Sequence, residues 1–81
     1  MERKTKIRES DTVVLAHDLQ EHGLRQGDIG AVVHCYSNGD AYEVEFVTGE
    51  GGTIAVVTLN RGEIRAMHQR EILHVRELLA A

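Results

Sequence analysis

The chain has no proline, a single cysteine and only three aromatic residues, Tyr36, Tyr42 and Phe46. With no proline, no low-complexity stretch and no repeat, it shows no linker, and its organisation has to be read from glycines and apolar period. The lone Cys35 has no partner in the chain for a disulfide. So few aromatics leave little surface for stacking bases, the usual grip on single-stranded nucleic acid. No apolar run approaches the ~18 residues of a membrane helix. The opening residues Met1, Glu2, Arg3, Lys4, Thr5 and Lys6 are charged and lead into no apolar stretch of the kind a secretion signal needs. No membrane association and a cytoplasmic address are expected.

Net positive charge is missing too. Nine basic against thirteen acidic side chains give a formal charge of −4 at pH 7, which opposes non-specific binding to a polyanion. The basic residues gather toward the ends, at Arg3, Lys4, Lys6 and Arg8 and again at Arg61, Arg65, Arg70 and Arg76. Asp28, Asp40, Glu43, Glu45 and Glu50 hold the middle. This is ordinary solvated charge that keeps a small protein soluble. Eighty-one residues make one domain. A domain this small buries only about 60% of its unfolded surface, which leaves a thin core and little interior for an enclosed active site.

What the chain does have is a succession of short β-rich runs. Residues 12–16 are apolar and β-branched between Ser10-Asp11 and Asp18, a first strand. Residues 18–27 form a polar loop in which Gly23 and Gly27 permit sharp turns and Leu24 folds back to cap the core. Residues 28–36 are a second strand whose interior Gly30 signals a bulge or a close backbone approach. Asn38-Gly39 then predicts a type I′ hairpin turn, because both central residues of that turn need positive φ. In the third strand Tyr42, Val44 and Phe46 alternate with Glu43, Glu45 and Val47, so the first three face the core. Residues 48–52 are a glycine-rich hairpin loop and 53–59 a fourth strand whose inward face the pattern leaves open. Residues 63–67 give a crossing turn and a short fifth strand.

The tail has a different period. Ile72, Val75 and Leu79 recur at helical spacing, widened by Leu73 and Leu78, without glycine or proline. The expected fold is therefore mainly β: a small five-stranded SH3-like barrel over residues 11–67, preceded by a charged segment 1–10 and followed by an amphipathic helix over 68–81.

The residues Asp11-Thr12-Val13-Val14-Leu15, Leu19, Glu21-His22-Gly23-Leu24, Gly27 to Val33, Ala41 to Phe46 and Thr58-Leu59 resemble a bacterial family of small SH3-like barrel proteins known as a domain of unknown function. The resemblance covers residues 11–67 and implies the barrel. It also implies a loose expectation of gene neighbourhoods of the toxin–antitoxin kind, and it brings no catalytic residues. The segment from Gln69 onward departs from the family pattern. The stretch Gly23 to Val33 is also similar to the loop-strand unit of KOW barrels, which contacts RNA through basic loop residues, but this loop offers only Arg25.

Chemistry finds little support. His34 and Cys35 are strand neighbours that point to opposite faces, and His68 and His74, six apart, share no helix face, so no metal is expected. Cys35 in an apolar strand reads as a small hydrophobe rather than a nucleophile. Glu43 and Glu45 lie on one strand face roughly 7 Å apart by strand geometry, near the spacing of a glycosidase pair, yet with no pocket to enclose a sugar. The loop Gly49-Glu50-Gly51-Gly52 has no following lysine and no helix start, so it does not cradle phosphate.

The function expected is a non-enzymatic protein-interaction module without cofactor, such as the small neutralising or regulatory member of a two-protein system. The Ile72, Val75 and Leu79 stripe either packs back across an open end of the barrel or, as partner-binding residues Ile72, Leu73, Val75, Leu78 and Leu79, buries itself on a protein partner or a second copy as a homodimer through the C-terminal helix. An RNA-binding KOW-like barrel and an accessory barrel of an enzyme complex are the alternatives.

Overall fold

A computed structural model describes residues 7–37 and 39–78. The strands are β1 (Thr12–Leu15), β2 (Ile29–Cys35), β3 (Ala41–Val47), β4 (Thr53–Asn60) and β5 (Ile64–Ala66). All five join one antiparallel sheet in the order β4-β3-β2-β1-β5. The edge strands β4 and β5 do not pair with each other among the described residues. The sheet is therefore open between these two edges.

The core follows from alternation. Tyr42, Val44 and Phe46 are buried as expected, opposite Leu59, Val57 and Ala55 on β4. Val13 and Leu15 of β1, Val32 of β2 and Ile64 of β5 complete one cluster, and Leu24 closes it from the loop before β2. That loop bends back through a 3₁₀ turn at Gln20–His22 and a bridge between Leu19 and Leu24, with Gly23 at φ 71°. On β4 the inward residues are Val57 and Leu59, with Ile54 packed beside them.

Two devices bend the sheet. Gly30 is the close approach: a Cβ there would lie 2.6 Å from Val44 Cγ1 and 2.9 Å from Phe46 Cε1. The bulge falls three residues later, where the β2–β3 register slips between Val32 and His34. The slip leaves His34 as well as Val33 outward and lets Cys35 rejoin the inner face.

The β2–β3 hairpin corrects the expected two-residue turn. Gly39 has the positive φ, 74°, but its N–H donates to the Tyr36 carbonyl at 2.9 Å. Tyr36 N–H closes the loop on the Ala41 carbonyl at 3.0 Å. The reversal therefore starts a residue early and the loop is longer than two; Asn38 lies outside the described residues.

The larger correction is the tail. Residues 68–78 contain no helix, and positions 79–81, Leu79 among them, lie outside the described residues. A helix this short is marginal in water unless a surface receives its apolar stripe. Here the segment is held by two arginines instead, which tie it to β5 and to the loop before β2.

Candidate partner-binding surface

The first tether sits just beyond β5. Arg65 presents its fork to Glu71, Nη1 to Oε1 at 3.0 Å and Nη2 to Oε2 at 2.7 Å, and His68 N–H donates to Oε1 at 2.6 Å. The Arg65 hydrogen bonds and then the His68 N–H pull the Glu71 pKa down to about 2. The second tether is Arg76. Its Nε and Nη2 donate to the two oxygens of Asp28 at 2.8 and 2.6 Å, and Nη2 also donates to the Gly23 carbonyl at 3.0 Å.

Asp28 is shaped for this role by its loop, since its Oδ2 also accepts the Arg25 N–H at 2.8 Å. Partial burial pushes its pKa up, but the bonds from Arg76 and the Arg25 N–H outweigh that and leave it below the ordinary value. Charge-assisted forks of this kind are among the stronger surface contacts.

Between the tethers no described residue covers the apolar side chains. Ile72 is 93% exposed and Val75 90%, with Leu73 also exposed. Only Leu78 is less exposed, at 42%, beside Leu24 and Ile54. Tail and sheet thus flank an open cleft lined by Phe46, Val47, Thr48, Ile54 and Val75. Of the expected partner-binding residues, Ile72, Leu73 and Val75 are presented to solvent without the helix that was to align them.

A second polar arrangement occupies the outer face of β2, β3 and β4. Glu43 Oε2 accepts from the Tyr36 hydroxyl at 2.5 Å and the Thr58 hydroxyl at 2.7 Å, and Glu45 Oε2 accepts from Thr53 at 2.6 Å. The Tyr36 and Thr58 hydroxyls hold the Glu43 pKa below its ordinary value, while Glu43 raises that of Tyr36. His34 meets Tyr36 edge-on at 4.8 Å. The two carboxylates are fixed by hydroxyl donors on one strand face.

The remaining motifs fall on the scaffold. The glycine loop is a hairpin in which Thr48 N–H reaches the Gly52 carbonyl at 2.9 Å. The Cys35 thiol lies 3.9 Å from the Ile7 carbonyl, partly buried. Among the described residues, no group of three metal-ligating side chains converges, and no helix is long and apolar enough to cross a membrane. Sequence reasoning missed Asp28 and Arg76, because no local spacing links residues 48 apart.

No curated protein and no solved structure matches the chain. The model of one family does match, over residues 9–66, the span of the sheet from just before β1 to the end of β5. By that match the chain belongs to the family described as a domain of unknown function, DUF4926.

Proposed function

We propose that the chain is a non-enzymatic protein-interaction module, a small SH3-like barrel that presents its tail to a protein partner. The barrel reading is supported by the strand order and by the bend at Val33. The binding reading rests on one observation: Ile72 and Val75 stand almost fully in solvent on a segment that arginine tethers keep beside the barrel. Exposed contiguous apolar groups mark interaction sites. The sequence of the tail still favours a helix, so docking would order it along the Ile72 and Val75 stripe in the helix-in-groove manner.

The partner would be a second chain in a two-protein system in the cytoplasm, or a second copy. The absence of any lysine or arginine on β2, β3 and β4 weighs against RNA as the ligand.

The test is affinity capture of the intact protein from its own cells, with and without nuclease, beside the double variant Ile72→Ser, Val75→Ser. Neither side chain packs on the core, so the variant should keep its fold. A nuclease-resistant protein partner that the variant loses supports the reading. Co-purifying RNA, or a partner retained by the variant, overturns it.

A further inference from the structure

The backbone alternation of β4 leaves part of its outer edge open. Tyr36 N–H bonds to the Ala41 carbonyl and Arg61 N–H to the Asp40 carbonyl, which fixes the phase of both ladders on β3. With Leu59 opposite Tyr42 and Val57 opposite Val44, the backbone groups of Ala55, Val57 and Leu59 bond to β3. Those of Val56, Thr58 and Asn60 turn the other way. Asn60 is already closed off: its N–H donates to Glu63 Oε1 at 2.9 Å and its carbonyl accepts the Glu63 N–H at 2.9 Å. Val56 and Thr58 have no such partner among the described residues.

Natural edge strands are guarded by proline, lysine, bulges or a covering element. Over its eight residues, β4 has no charge and no proline, and its register slip falls at the far end, beside Phe46 and Val47. Its open stretch is thus a template for one more strand. The neighbouring charge says which kind. On the outer face Glu45 stands opposite Val56 and Glu43 opposite Thr58, in rows that run straight to the edge. Each glutamate is held through Oε2, and its Oε1 has no partner among the described residues.

We infer that the β4 edge takes an extended segment of another protein as a sixth strand, with lysine or arginine at alternate positions opposite Val56 and Thr58. Two strand spacings separate such residues from β3, roughly 10 Å, which a basic side chain and a glutamate side chain span together. A second copy of this chain fits less well. Edge-to-edge pairing would gather Glu43 and Glu45 of both copies on one continuous face with no basic residue between them. Val56 and Thr58 line neither of the clefts beside the tail.

The probe is an end-capped heptapeptide alternating valine and lysine, with a control of the same composition whose lysines are adjacent. Amide shifts concentrated on Val56 and Thr58 are expected with the first and much weaker ones with the second. Val56→Pro removes an N–H that β3 does not use, so the fold should survive, and binding should fall about tenfold or more. Glu43→Gln with Glu45→Gln should remove the preference for the alternating peptide, and Ile72→Ser with Val75→Ser should leave it intact. Equal binding of both peptides, binding unaffected by Val56→Pro, or a dimer that Val56→Pro dissolves would each overturn the inference.

Discussion

Arg76 grips Asp28 through two hydrogen bonds of 2.6 and 2.8 Å across 48 residues of chain. The side chains are 21% and 15% exposed, so the pair sits at the boundary between solvent and the folded sheet. It joins the loop that delivers Leu24 to the core with the tail that carries the exposed stripe.

Arg76→Ala should therefore loosen the tail while leaving the sheet intact. The expected cost is about 1 kcal/mol, at the upper end for surface pairs. Trypsin cleavage after Arg70 should quicken about fivefold, the factor that such an energy corresponds to. An unchanged cleavage rate would mean that Arg76 does not restrain the segment.

Acid should release the same segment by a route that can be followed at one atom. The Glu71 carboxyl is lowered from 4.5 to about 2, so its tether is fully present above about 4.5 and lost as pH falls through about 2. Asp28 moves in the same direction. Carbon NMR of Glu71 should titrate with a midpoint near 2, and Arg65→Gln should bring that midpoint back toward 4.5. A midpoint near 4.5 in the unaltered protein would contradict the fork.

Gly30→Ala should be costly despite its ordinary φ. The new methyl would press on Val44 and Phe46, both buried and neither free to swing away. Overpacking of this kind costs about 1–3 kcal/mol, and each kcal/mol lowers the melting temperature of such a domain by about 4–8 °C.

Gly39→Val should destabilise for a different reason. Nothing lies within 4 Å of a Cβ at Gly39, so the penalty is the positive φ of 74° alone, about 1–2 kcal/mol for an L-residue and more for a β-branched one. Gly49→Val, equally open but without positive φ, is the control and should melt within a few degrees of the parent.

The sheet was legible because each strand repeats a local rule. Tyr42, Val44 and Phe46 alternate with Glu43 and Glu45 whatever their neighbours do, and burial follows that alternation. Leu24 could be placed because an apolar residue between two turn glycines has nowhere else to go. The tail was not legible. The period of Ile72 and Val75 says that a helix would own a stripe, not that the sheet offers a surface to receive it. What holds the tail instead is a pair of arginine forks, and the one that reaches Asp28 exists only once the loop before β2 is in place. Gly30 signalled a bulge or a close approach without saying which: it marks the tight packing against Val44 and Phe46, whereas the slip between Val32 and His34 depends on how β3 is paired.

The pairing of β1 with β5 sets Val13 against Ala66 and Leu15 against Ile64, so the first strand to be made waits for the last. During synthesis β2, β3 and β4 can zip by successive hairpins. Val13 and Leu15, however, keep one flank open until residues 64–66 have left the ribosome. The long-range closure comes late and makes folding slower than that of a protein built from local contacts. Until then β1 and β4 are both bare edges on one nascent chain, and this interval, rather than the finished fold, is when two growing copies are most exposed to pairing with each other.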